Sequence, residues 1–179
     1  MGTIHDHQPV KLFVGMLAGE PMWFETAERA LVERFGPVDL AGDVWSFTQT
    51  DYYASEMGEG LLRKFLAFEQ LIAPEAIVEA KHVSNAIEAD LARHITDGPA
   101  RPVNLDPGYV DLAKVVLATT KDFAHRIALG RGIYAEVTLN YRHGEYAPNR
   151  WTYPDYQTPE YTRFFLALRE RLRDNRRSR

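Results

Sequence analysis

The residues best suited to chemistry in this chain lie between positions 121 and 136. Lys121, His125 and Arg126 place three groups that can carry positive charge within six residues. A guanidinium can hold a phosphate or carboxylate through two parallel hydrogen bonds, and a lysine ammonium adds a point charge. Histidine is the side chain that most often exchanges protons at neutral pH, so His125 is the candidate general acid or base.

A predicted hairpin brings Glu136 to this segment. Ile133–Tyr141 alternates as a strand does, with its odd-numbered residues on one face and Tyr134, Glu136, Thr138 and Asn140 on the other. A glycine-flanked turn at Arg131 separates it from a partner strand over His125–Leu129. Residues whose numbers sum to about 262 then pair, so Arg126 faces Glu136. Glu136 is therefore a second catalytic candidate, which orients Arg126 or holds a cation. A plain surface ion pair is the alternative.

Two further motifs are candidates for the remaining walls of a pocket. In FTQTDYYASEMG (47–58), Tyr53 can present a hydroxyl and Glu56 a carboxylate. In VNLDPGYV (103–110), Asn104 and Asp106 offer oxygens at a strand end, although Asp-Pro-Gly also suits a turn. The sequence thus predicts six ligand-binding residues: Tyr53, Glu56, Asn104, Asp106, Lys121 and Arg126.

Several kinds of chemistry find no support in the sequence. The chain has no cysteine, which excludes disulfides, thiolate nucleophiles and cysteine zinc sites. It has no H-E-x-x-H, no EF-hand loop, no G-x-S-x-G and no G-x-x-x-x-G-K-[ST] phosphate loop. No metal site is predicted, and no cofactor is identified. A Mg²⁺ site built from Glu56, Asp106 and Asp122 is the less favoured alternative.

The elements that must position these residues alternate between strands and helices. Strands are predicted over 11–18, 38–47, 61–72, 103–105 and 133–141, with helices over 22–35, from 73 to about 95, and after Thr158. On the second helix, Lys81 and His82 lie off the apolar stripe and are expected in solvent. The order βαββαβ followed by a hairpin and a helix predicts an α+β two-layer sandwich: a mostly antiparallel sheet, about three helices and a ferredoxin-like core. A three-layer α/β sheet is the alternative.

Length and charge limit the organisation and the partners of the chain. The 179 residues predict a single domain over 1–179, with flexible tails at 1–9 and 173–179. The net charge is −4, yet residues 163–179 hold seven arginines and two acids. The acidic remainder argues against a nucleic-acid surface. No apolar run is long enough for a signal segment or a membrane span, so we expect a cytoplasmic protein without a membrane partner.

The motifs resemble a known family. The opening strand KLFVGML (11–17), the segments FTQTDYYASEMG and VNLDPGYV, and KDFAHRIALGRGIYAEVTLNY (121–141) together resemble the uncharacterised prokaryotic family catalogued as domain of unknown function 4416. The likeness covers nearly the whole chain. It implies no activity, because the family has none established.

Three functions are compatible with these observations. The favoured one is a small enzyme or ligand-binding domain for an anionic molecule, phosphorylated or nucleotide-like. The second is a non-enzymatic interaction module with an RNA or protein partner, which contacts RNA through an aromatic-rich sheet face and the arginine-rich tail. The third is a homo-oligomeric scaffold in which the aromatic segment 150–161 covers a partner. Convergence of the 51–58 loop, Asn104, Asp106 and the 125–136 hairpin on one cavity distinguishes the first from the others.

Overall fold

The computed structural model describes residues 2–49, 54–94 and 98–177. Within these residues nine strands form one sheet, and every neighbouring pair is antiparallel. The strands are β1 (Val10–Ala18), β2 (Val38–Ala41), β3 (Trp45–Ser46), β4 (Leu62–Ile72), β5 (Val103–Val110), β6 (Lys114–Thr119), β7 (Ile127–Gly130), β8 (Ile133–Arg142) and β9 (Glu145–Pro148).

The described part of the chain also contains four α-helices and two short 3₁₀ turns. The helices are α1 (Pro21–Phe35), α2 (Ala54–Met57), α3 (Ile77–Arg93) and α4 (Pro159–Arg177), and the 3₁₀ turns are Pro74–Ala76 and Pro154–Gln157. Proline is the first residue of α1 and of α4. A backbone N–H at this position has no partner inside the helix, so proline, which lacks it, loses no hydrogen bond. None of the described helices is long and apolar enough to cross a membrane.

The sheet has the order β2-β4-β1-β5-β6-β8-β7, with β3 on β4 and β9 on β8. Its central strand β1 is buried on both faces, because its even-numbered residues pack beneath α1 and α3 whereas Phe13 packs beneath α4. An α+β class with an antiparallel sheet is therefore confirmed. The two-layer sandwich is wrong, since helices cover both faces of a larger sheet. On the face covered by α4, side chains of this helix pack against Phe13, Phe65 and other residues of the sheet to form a second hydrophobic core.

The predicted turn at Asp106-Pro107-Gly108 is wrong, because β5 runs straight through it. Pro107 can lie in this strand because the pairing of β5 with β6 begins only at the next residue. Gly108 is required by packing rather than by a turn. A Cβ there would lie 2.5 Å from Cζ of Phe13 and from the carbonyl oxygen of Val116.

The prediction that Ile133, Leu139 and the other odd-numbered residues of β8 share one face is also wrong. Opposite β6, Val115 pairs with Leu139 and Val116 with Val137, so Thr138 is an extra residue, a β-bulge. The bulge reverses the alternation. Ile133 packs beneath α1 and α3, whereas Leu139 packs beneath α4.

The hairpin register counted from Arg131 is confirmed. Ile127 pairs with Ala135 and Ala128 with Tyr134, and Arg131 adopts the positive φ of 54° that a tight turn needs. The strand β7 begins at Ile127, one residue after Arg126. His125 and Arg126 therefore precede the strand, and the alternation of an extended chain does not force their side chains apart.

The end of the chain is tied to its beginning. Helix α4 includes residues 173–177, which the sequence assigns to a tail. Arg176 donates two hydrogen bonds to the carbonyl oxygen of Pro9, at 3.0 and 2.6 Å. The buried ammonium of Lys11 donates to Asn175 and to Asp39.

Candidate functional site

A cavity of about 660 Å³ opens on the α4 face of the sheet, between β5 and β6. The pairing of these strands ends at Gly108 and Leu117, and beyond that point Asp106 on one strand and Thr119 on the other line the cavity. Its charged lining consists of Arg63, Lys81, Arg101, Lys121, Arg126, Asp106, Glu136 and Asp155. The volume lies within the roughly 300–1,000 Å³ range of small-molecule sites.

Arg63, on β4, places a deeply buried guanidinium in the lining of the cavity. One terminal nitrogen, Nη1, lies 3.4 Å from Asp106 Oδ2, and the other, Nη2, lies 3.3 Å from Asp155 Oδ2. Burial disfavours the charge of the guanidinium, but Tyr156 and both carboxylates raise its pKa above the ordinary value. Burial also raises the pKa of Asp155, against the opposing effect of Arg63. The side chain is only 4% exposed, and these contacts hold it in place.

Asp106 is the centre of a second set of contacts. Its Oδ2 accepts a hydrogen bond from Asn104 Nδ2 at 2.6 Å, and its Oδ1 lies 3.8 Å from Lys81 Nζ. Lys81 reaches the cavity from α3 and donates to the carbonyl oxygen of Leu105 at 2.8 Å. The expectation that Lys81 is solvated is therefore wrong, since it is buried between its helix and the end of the sheet.

Arg101 connects this set of contacts to acidic residues on α3 and α2. Its guanidinium donates to Glu88 Oε2 through Nη2 at 2.8 Å and through Nε at 3.2 Å, and it also contacts Asn104 Oδ1. Its Nη1 lies 3.5 Å from Glu56 Oε2, on α2. The other oxygen of Glu88 accepts the backbone N–H of Leu105 at 2.7 Å. Burial raises the pKa of Glu88, against the effects of Lys81 and Arg101.

The opposite wall is built around the buried carboxylate of Glu136. Its Oε2 accepts a hydrogen bond from Arg126 Nε at 2.8 Å and lies 3.0 Å from His125 Nε2. A carboxylate can only accept, so Nε2 of His125 carries the hydrogen of this bond. Arg126 continues to the carbonyl oxygen of Lys121 at 3.1 Å and to the hydroxyl of Tyr153 at 2.8 Å. Burial disfavours the charge of Arg126, but its bond to Glu136 raises its pKa.

His125 is held behind this wall. Its ring stacks on Trp151 with centroids 5.1 Å apart and an interplanar angle of 10°, and Phe123 contacts it edge-on. Trp151 is anchored by a hydrogen bond from Nε1 to the carbonyl oxygen of Val137, at 2.9 Å. Glu136 lines the cavity, whereas His125 is not among the lining residues and bonds to Glu136.

The structure brings most of the sequence-predicted residues to one place. Asn104, Asp106, Lys121, Arg126 and Glu136 line the cavity. Glu56 and His125 each bond to a residue that does, and Tyr53 lies outside the described residues. The Mg²⁺ alternative gains no support, because no group of three histidine, aspartate or glutamate side chains placed to hold a metal occurs in ranges 2–49, 54–94 and 98–177.

Comparison with known proteins adds the family. The family model described as "Domain of unknown function (DUF4416)" matches residues 8–172 of the 179-residue chain. The chain belongs to this family. No curated protein and no solved structure matches it. In this DUF4416 protein the matched range contains every charged residue that lines the cavity.

Sequence reasoning missed four charged residues of this DUF4416 site. Arg63 continues the face of β4 that carries Phe65 and Ala67, and a charge in line with core residues is a signal that a strand pattern can reveal. Lys81 follows Ile77 by one helical turn, which gives a similar signal. Arg101 and Asp155 lie outside helices and strands of periodic pattern, so the sequence offers no signal for them.

Proposed function

We propose that the cavity binds a small anionic molecule, phosphorylated or nucleotide-like, as the site of a small enzyme or ligand-binding protein. The observation that carries this proposal is the meeting of five cationic side chains at one cavity, against three carboxylates in its lining. An anion entering such a cavity gains charge-assisted hydrogen bonds in a partly desolvated place, where they are stronger than in water.

The fixed positions of these cations support the proposal. Arg63 is held by Asp106 and Asp155, and Arg126 by Glu136 and Tyr153, before any ligand arrives. Binding then requires little ordering of long side chains, which otherwise opposes association by roughly 0.5–1.5 kcal/mol for each immobilised side chain. Each terminal guanidinium nitrogen carries two hydrogens, so its contacts within the protein leave donor capacity for a ligand.

We also infer that the first half of the chain is a ferredoxin-like unit. The segment β1-α1-β2-β4-α3-β5 has the βαββαβ order, with β1 between β4 and β5 and with β2 at the edge beside β4. Both of its helices pack on the same face. The cavity then lies where the additional strands β6 and β8 extend this unit.

Titration calorimetry with ribose 5-phosphate and inorganic phosphate tests the binding proposal. The test variant is Lys121→Gln, which removes one cation from the cavity lining. Its matched control is Lys114→Gln at the start of β6, which changes the net charge equally and does not touch the cavity. A charge-assisted hydrogen bond contributes about 1.5–3 kcal/mol, so we expect the affinity to fall about ten- to hundredfold in Lys121→Gln only. An equal fall in both variants would refute the proposal, as would the absence of saturable binding of these two probes and of adenosine monophosphate to the wild type.

A second candidate function, proton transfer to a bound ligand, rests on Glu136. This buried carboxylate lines the cavity, and His125 donates to it from behind. We assign Glu136 the role of acid or base and His125 that of its positioning residue. With a substrate that turns over, Glu136→Gln should abolish the reaction, whereas His125→Asn should lower the rate and displace its pH profile. A normal rate in Glu136→Gln would exclude this role.

A further inference from the structure

The wall of the cavity carries one conspicuously exposed aromatic ring, that of Tyr153. The residue is 46% exposed, and its hydroxyl accepts a hydrogen bond from Arg126 Nη2 at 2.8 Å. This bond holds the ring at the cavity, because Arg126 is itself fixed by Glu136. Resting on the proposed function, we propose that Tyr153 is a stacking platform for a planar ring carried by the anionic ligand.

The other exposed aromatic rings of this corner of the molecule are placed differently. Trp151 stacks on His125, and Phe123 packs edge-on against the same ring. Neither residue lines the cavity. Among the described residues, Tyr153 makes no such ring contact and is 46% exposed, so part of its surface is accessible to a ligand in the cavity. When a second ring covers a rigidly held, hydrated aromatic surface, apolar area is removed from water and the complex is stabilised.

Other apolar residues line the same cavity as Tyr153. Pro154 and Tyr156 follow it in the chain, and Phe47 and Leu117 line the same cavity. A bare phosphate or a sugar phosphate would bind to the cationic side chains and leave these apolar side chains exposed to water. The ligand class that uses both parts of the cavity is an anion with an aromatic or heteroaromatic ring, such as an aryl phosphate or a nucleoside monophosphate.

Two pairs of probes isolate the contribution of the ring. Phenyl phosphate is compared with inorganic phosphate, and adenosine monophosphate with ribose 5-phosphate, each by titration calorimetry on the full chain. Stacking of a base on an aromatic side chain contributes about 1–3 kcal/mol, so we expect the ring-bearing probe of each pair to bind about five- to 150-fold more tightly. In Tyr153→Ala this preference should disappear, while the affinity for ribose 5-phosphate should stay within about twofold of that of Tyr153→Phe, which loses the same hydrogen bond from Arg126.

Two variants control for structural damage. Tyr153→Phe keeps the ring and loses only the bond from Arg126, so it should retain most of the preference. Phe123→Ala removes a ring that is 66% exposed and lies outside the cavity, so it should leave the affinity for all four probes unchanged. Equal binding within each pair, or a preference that survives in Tyr153→Ala, would overturn the stacking role and leave the anion site intact. Failure of all four probes to bind would overturn both proposals.

Discussion

Replacing Arg63 by methionine should expose how strongly the cavity depends on its buried charges. The side chains of Arg63 and Asp155 are 4% and 5% exposed, so removal of the guanidinium leaves the Asp155 carboxylate buried without its cation. Breaking a buried ion pair by removing one partner costs about 3–5 kcal/mol. That is a large part of the roughly 5–15 kcal/mol by which a protein of this size is stable.

The destabilisation should depend on pH in a defined direction. Burial already raises the pKa of Asp155 above its ordinary 3.8, and loss of Arg63 raises it further. Below 3.8 the carboxyl is protonated in both the folded and the unfolded chain, so the penalty is absent. It grows as the pH rises from the unfolded-state pKa towards the folded-state pKa, because in this range the unfolded chain loses its proton first, and it is constant above the folded-state pKa.

Urea unfolding followed by tryptophan fluorescence measures this effect. The pair Arg63→Met and Arg63→Met/Asp155→Asn isolates Asp155 from every other titrating group. We expect the single variant to be less stable than the double variant at pH 7, by more than about 1.5 kcal/mol, and the two to converge near pH 3.5. Equal stabilities at pH 7, or a difference that does not change with pH, would refute the description of Arg63 and Asp155 as a buried pair.

Three further predictions concern the framework of the site. Gly108→Ala should lower the free energy of unfolding by about 1–3 kcal/mol, because the new Cβ meets the backbone oxygen of Val116; urea unfolding at wild-type stability would contradict this. Lys81→Met should cost about 1–3 kcal/mol in the same assay, because Lys81 donates to the carbonyl of Leu105; a neutral result would mean that the bond contributes nothing. Arg126→Lys should speed amide hydrogen exchange over 121–130, since lysine cannot bridge three acceptors in a planar fork; unchanged exchange would exclude the bridge.

The predictable part of this fold is the part governed by local periodicity. The alternation of β8 and the turn at Arg131 are local features, and they lead to a register that brings Arg126 to Glu136. The same reasoning fails at Thr138 and at Asp106-Pro107-Gly108. A bulge depends on the partner strand. A proline is tolerated in a strand only where no neighbouring strand requires a hydrogen bond from its backbone nitrogen.

The sequence predicted four of the eight charged residues that line the cavity and missed the other four. Glu136 and Asp106 stand out as polar residues in apolar surroundings, which marks them in the sequence. Lys81 and Arg63 are attached to elements that also supply core residues, and their charges meet Asp106 at the place where the sheet opens between β5 and β6. That opening results from long-range strand pairing, which no local pattern records. The catalytic candidate His125 illustrates the same limit, because only the fold shows that it bonds to Glu136 and is not among the lining residues of the cavity.

The most direct test of the anion site is a crystal structure of the protein grown with ribose 5-phosphate. We expect the phosphate group inside the cavity, with oxygens within hydrogen-bond distance of at least two of its cationic side chains, Arg63, Lys81, Arg101, Lys121 and Arg126. A phosphate bound instead along the arginines at the end of α4, or an unoccupied cavity at saturating ligand concentration, would contradict it.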